Sequence, residues 1–177
     1  MKLTLNEEKF EFDFPNAKAL YKFDEKDKLS PTYHGAPMQA VDVMAEFSDF
    51  QVWIEIKEFQ SSEIEAMNKE GDQRKKGDNV HHKANLTKNL KHKFRDTFLY
   101  RFCENKLCSK IVYICLTNFD DALNGFFRKQ LKEQIPVGLV SKRWKKILLE
   151  EKYIMVVNID SWQRNLEKKI GKCIKIV

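Results

Sequence analysis

Along residues 2–14 apolar side chains fall on alternate positions. Leu3 and Leu5 come first, then Phe10, Phe12 and Phe14, with the polar Asn6-Glu7-Glu8 between them. A period of two puts such residues on one face of a strand, so a β-hairpin is predicted over 2–14. Pro15-Asn16 then opens the stretch ALYKFDEKD, which reads as a short helix. Residues 29–37 hold two prolines and Gly35 and read as a loop. Two strands follow. The first spans 39–47, with Val41 and Val43 flanking Asp42, and the second, 51–59, reads QVWIEIKEF. The linker Ser48-Asp49-Phe50 is short enough to join them as a hairpin. In the second strand Val52, Ile54 and Ile56 share one face, and Trp53, Glu55 and Lys57 share the other.

Residues 60–82 are polar, with Gly71, Gly77 and the cluster Arg74-Lys75-Lys76, and read as a loop or a polar helical excursion. A helix is expected over 82–103, because Leu86, Leu90, Phe94, Phe98 and Phe102 recur every four residues. The continuous apolar run IVYICLT, 111–117, fits a strand buried on both faces. Asp120 and Asp121 can start the next helix, whose apolar side is Leu123, Phe126, Phe127 and Leu131. Further elements are a helix over 139–149, a strand over 153–159, and a final helix capped by Asp160-Ser161 that ends near Gly171. This order specifies an α/β fold, a mixed central sheet flanked by helices, in a single domain over 1–177.

Composition narrows the setting. A 42% hydrophobic content is enough for one core in 177 residues, and no apolar run reaches membrane-spanning length. The acidic, alternating N-terminus does not resemble a signal peptide. The four cysteines lack framework spacing, so reduced thiols and a cytoplasmic location are expected. Charge is unevenly spread: residues 1–60 carry 7 Lys/Arg against 12 Asp/Glu, residues 61–110 carry 12 against 7, and residues 111–177 carry 13 against 7. A basic remainder of this kind attracts phosphate polymers through counterion release, although a solvated lysine-rich surface would look the same. His81, His82 and His92 do not share a helix face, and Cys103 and Cys108 lack a second ligand pair, so neither set makes a zinc site.

An acid two residues before a lysine occurs six times, at Glu7, Asp24, Glu55, Glu104, Glu150 and Glu167, so the tripeptide alone carries no information. Context singles out Glu55-Ile56-Lys57. It lies inside a strongly alternating strand and follows a strand with its own embedded acid, Asp42. The hairpin should bring Asp42 toward Glu55, and two converging carboxylates repel unless a cation or proton intervenes. A hard divalent ion answers that need, with Asp42, Glu55 and the carbonyl of Ile56 as oxygen ligands and positions left for water and phosphate. Such an ion polarises a phosphate and activates water, while Lys57 can orient the water or offset charge in the transition state.

Asp42 followed by Glu55-x-Lys57 on the next strand resembles the signature of the PD-(D/E)xK nucleases, which share the restriction endonuclease-like fold. The basic helix and the strand IVYICLT that follow match that fold's order, and the resemblance covers roughly 16–117. It implies a Mg²⁺- or Mn²⁺-dependent nuclease acting on nucleic acid, DNA in the first place, with Asp42 and Glu55 on the metal and Lys57 assisting hydrolysis. An acid on the first helix is often part of such sites, which points to Asp24 or Glu25 on the stretch read as that helix, and Arg95, with Lys91 and His92 behind it, is the expected contribution of the long helix. Arg74, Lys75, Lys76, Lys88 and Lys91 are the expected nucleic-acid contacts, and a homodimer is one expected assembly. Two other readings remain: a domain that keeps the fold and binds nucleic acid without cutting, and one whose basic face binds a protein.

Overall fold

The computed structural model describes residues 1–35, 37–69, 82–107, 110–138, 141–144 and 149–176. The N-terminal alternation forms the expected hairpin, β1 (Lys2–Leu5) antiparallel to β2 (Phe10–Asp13). The stretch 19–27 does not form the expected helix: its first four residues make β3 (Ala19–Lys22), which pairs antiparallel with β4 (Val43–Glu46). Its residues favour a helix locally, but an edge of the sheet and burial of Leu20 decide the outcome. The strand expected over 39–47 is shorter, and Asp42 sits at the bend just before β4. The hairpin to β5 (Gln51–Lys57) forms as expected.

Helix α1 (Ser61–Lys69) is the polar excursion, and Arg74, Lys75 and Lys76 lie outside the described residues. Helix α2 (His82–Cys103) leads to β6 (Ile111–Thr117), which pairs parallel with β5. Helix α3 (Asp121–Gln134) has Asp120 as its N-cap, accepting from the Leu123 amide. It returns to β7 (Ile154–Val157), parallel to β6 and preceded by a 3₁₀ turn at Glu151–Tyr153. Of the helix expected over 139–149, residues 141–144 form a turn, and 139–140 and 145–148 lie outside the described residues. Helix α4 (Ile159–Asn165) is shorter than expected and is capped by Asn158 rather than Asp160-Ser161. Strand β8 (Lys172–Lys175), unforeseen, pairs with β2.

The result is a five-stranded mixed sheet, β3-β4-β5-β6-β7, and a three-stranded sheet, β1-β2-β8. On one face of the larger sheet α2 and α3 bury Leu90, Phe94, Phe127 and Leu131 against Trp53, Tyr113 and Met44. On the other, Phe10, Phe12, Phe14 and Trp162 cover Val52, Ile54, Ile114 and Leu116. The five-stranded sheet is thus covered on both sides, which is why β5 and β6 are buried almost throughout. Among the described residues no helix is long and apolar enough to cross a membrane.

One consequence of helix geometry fixes the site. A spacing of four advances a residue by about 40° around a helix of 3.6 residues per turn, so the stripe from Leu86 to Phe102 rotates by about 160° along α2. Phe102 is accordingly 64% exposed, a correction to the expected core stripe. By the same geometry Lys93 and Thr97 lie within about 20° of Leu86. These two, with Arg101, are buried against the sheet.

Candidate active site

The polar stripe Lys93-Thr97-Arg101 is read by three groups on the sheet. Thr97 Oγ1 accepts the Val41 amide at 3.0 Å, and one residue earlier in the helix Asp96 accepts the Gln39 amide at 3.0 Å. Two amides of the segment before β4 are thereby clamped to α2, and the Phe23 amide donates to the Asp42 carbonyl at 2.8 Å. Asp42 is held by its backbone from both sides. Arg101, farther along, pairs with Glu46 at 2.7 Å and Glu104 at 2.9 Å and also donates to Tyr21, a structural anchor away from the site.

Lys93 reaches the carboxylates. Its Nζ lies 3.4 Å from Glu55 Oε2, 3.8 Å from Asp42 Oδ1 and 3.5 Å from Asp24 Oδ2, to which it donates a hydrogen bond. Glu55 is wholly buried, and its Oε1 lies 2.7 Å from Lys57 Nζ. Glu55 is therefore held by two ammonium groups, Lys57 on one oxygen and Lys93 on the other. Asp42 Oδ2 accepts the Ile56 amide at 2.6 Å, across the β4–β5 hairpin. The Asp42 and Glu55 oxygens not used by Ile56 and Lys57 both face Lys93.

Burial and the neighbouring Asp42 charge push the Glu55 carboxyl up to about 7, against the opposing pull of Lys57 and Lys93. Burial also raises Asp42, while Lys93 and the Ile56 amide pull it down. Burial would lower Lys93, but Glu55, Asp42 and Asp24 together hold it above its ordinary value. Each group is therefore perturbed by the others, as expected where like charges are gathered out of water.

The structure brings together Asp42, Glu55 and Lys57, and adds Asp24 at the edge, 20% exposed in its side chain. Ile56 contributes its amide to Asp42, and its side chain is buried in the opposite core. Glu25 folds back instead, its Oε1 accepting the amides of Lys26 and Asp27. Arg95 is exposed, and the basic residue that α2 supplies to the cluster is Lys93, two positions earlier. Lys88 is exposed and Lys91 half-buried on the same helix. Sequence reading missed Lys93 because lysine is a surface residue by default, and its angular match to Leu86 was the available signal. An open depression lined by Lys129, Lys132, Glu133 and Glu151 lies at the other end of the parallel strands and has no part in this cluster.

Comparison with known proteins adds one finding. Among solved structures, the small subunit of the heterodimeric restriction endonuclease R.BspD6I is similar to this chain. The TM-score is 0.38 and the sequence identity 13%, over 86% of this chain and 60% of that subunit. This chain therefore spans less than two thirds of the subunit's length. No protein-family model matches the chain, and no curated protein matches it in sequence.

The donor set suits a hard divalent cation. One oxygen of each carboxylate, Asp42 Oδ1 and Glu55 Oε2, faces the point where Lys93 lies, and Glu55 is fully buried. Hard oxygen ligands of this kind select Mg²⁺ or Mn²⁺ over softer ions. Among the described residues no group of three or more His, Cys, Asp or Glu side chains is placed to hold a metal, so Asp24 stands outside the pair.

Proposed function

We propose that this chain is a nuclease of the PD-(D/E)xK kind that hydrolyses phosphodiester bonds of nucleic acid, DNA in the first place. The observation that carries the reading is Glu55, a wholly buried carboxylate set beside Asp42 and between two lysines, Lys57 at 2.7 Å and Lys93 at 3.4 Å, at the end of β5. Burying a charge there costs stability, and sites of chemistry are where such perturbed groups gather. Asp42 and Glu55 would hold Mg²⁺ or Mn²⁺, with the Ile56 carbonyl as the proposed backbone ligand. When bound, such an ion polarises the scissile phosphate and makes a hydroxide available near neutral pH.

The protein's own groups supply the remainder. Lys57, tethered at 2.7 Å to Glu55 and 29% exposed, can reach outward to the phosphate oxygens while its stem stays fixed on β5. Its ammonium offsets charge that develops on the phosphate as the water adds and the leaving oxygen departs. The Ile56 amide and the α2 clamp fix Asp42 so that no reorganisation is needed at the moment of reaction. Lys88 and Lys91 are the proposed phosphate contacts on described residues, with Arg74, Lys75 and Lys76 in the same proposal. If the substrate is a duplex, cutting both strands needs two such sites, which a homodimer would supply.

The test is cleavage of single- and double-stranded DNA and of RNA in Mg²⁺, Mn²⁺ or chelator. Lys57→Ala should lower the rate by about a hundredfold or more while leaving Mn²⁺ and nucleic-acid binding in place. Undiminished cleavage by Lys57→Ala would remove that residue from the chemistry. One observation favours a second reading, a fold that binds nucleic acid without cutting: Lys93 already pairs with all three carboxylates from within the protein. On that reading no divalent ion would support cleavage of any of these substrates.

A further inference from the structure

Lys93 occupies the point that a metal would need. Its ammonium, only 11% exposed in the side chain, is surrounded by Asp24 Oδ2, Asp42 Oδ1 and Glu55 Oε2 at 3.4–3.8 Å. Asp42 Oδ2 is committed to the Ile56 amide and Glu55 Oε1 to Lys57. The oxygens that remain for a cation are therefore the two that Lys93 now takes. An ammonium and a divalent ion cannot occupy the same point, and their mutual repulsion weakens the hold of each on the two oxygens. Lysine is also suited to leaving: a compact charge on a long, unbranched stem. Asp24, its hydrogen-bonded partner, stands outside the Asp42–Glu55 pair and is the most exposed of the three acids.

We propose that Lys93 is a resident cation of this site, a positioning residue that holds Asp42 and Glu55 together in the free protein and gives up its place when a divalent ion enters with a substrate phosphate. The inference rests on the nuclease reading of the cluster. Lys93 retains Asp24 as it moves aside, and the phosphate offers it a second partner. The free protein therefore binds divalent ions weakly, and nucleic acid strengthens that binding by giving the displaced ammonium somewhere to go. Linkage makes the effect mutual: the ion strengthens nucleic-acid binding by the same factor.

The experiment is calorimetric titration of Mn²⁺ into the full chain without nucleic acid, for the wild type, Lys93→Met and Lys93→Arg, with the melting temperature of each. Lys93→Met removes the competing charge at nearly constant volume and should bind Mn²⁺ at least about tenfold more tightly than the wild type. Lys93→Arg keeps the charge and should stay weak. Should Lys93→Met fail to melt cooperatively, Lys93→Gln, which keeps hydrogen-bond donors without the charge, takes its place with the same expectation. Equal affinity in the wild type and the neutral variants, or no binding in any of them, would overturn the proposal. The nuclease reading fails separately: tighter Mn²⁺ binding by Lys93→Met in a protein that cuts none of the nucleic acids would leave the resident cation standing and remove the hydrolysis. Metal-dependent cleavage by the wild type with unchanged Mn²⁺ affinity in the variants would do the reverse.

Discussion

Glu55 is the residue on which charge and burial meet most sharply, and it gives the metal-free protein a pH dependence of known sign. Its folded value of about 7 lies above the ordinary 4.5, so between these the native state holds a proton that the unfolded chain has lost. Stability from that proton is fully present below about pH 4.5 and is lost as pH rises through about 7. Asp42, also raised, adds in the same direction, and Lys93 stays protonated throughout this window. In chelator, the wild type should lose about 2 kcal/mol more stability between pH 5.5 and 8 than Glu55→Gln does, read from urea midpoints. Parallel pH profiles for the two proteins would mean that Glu55 is ionised without penalty. At this scale Glu55 and Lys57 were legible, because a period of two makes them neighbours on one strand face, and Asp42 was legible through the short β4–β5 hairpin that carries it to the Ile56 amide. Lys93 was not, because its placement depends on which arc of α2 meets the sheet, and Arg95 seemed equally available.

The elements show the same division. The hairpin β4–β5, α2, β6 and α3 follow from local pattern, since each carries a stripe or an unbroken apolar run. Strands β3 and β8 do not. ALYK and KCIK are short, and what makes them strands is a partner edge, β4 for one and β2 for the other. Gly171 is where the second pairing becomes sterically exacting. Its φ of +138° is a conformation that L side chains rarely adopt, and a Cβ there would overlap the Asp13 carbonyl oxygen and approach Phe14 Cα to 2.8 Å. The Gly171 carbonyl also accepts the buried Trp162 indole at 2.9 Å, so the turn cannot shift without loss. Gly171→Ala should therefore destabilise the protein by about 2–4 kcal/mol, more than backbone strain alone accounts for. A change of under about 0.5 kcal/mol in a denaturant titration would show that the β2–β8 junction relaxes freely.

For the molecule as a whole, the acidic first third and basic remainder take on spatial meaning. Asp24, Asp42 and Glu55 all come from the acidic portion, and α2 from the basic portion lays Lys93 among them. The small sheet that closes the opposite face leaves the chemistry to the end of β5, where Lys57 meets solvent. Such an arrangement suits an anionic polymer drawn by positive charge to carboxylates that themselves require a cation. The central claim is that Asp42 and Glu55 form the metal centre of a nuclease. The most direct measurement is Mg²⁺- or Mn²⁺-dependent cleavage of DNA by the wild type and by the Asp42→Asn/Glu55→Gln double variant, with melting temperatures showing that both are folded. The wild type should cleave, chelator should abolish that cleavage, and the double variant should lack it. Cleavage retained by the folded double variant, or absent from the wild type with every divalent ion and nucleic acid tried, would contradict that claim.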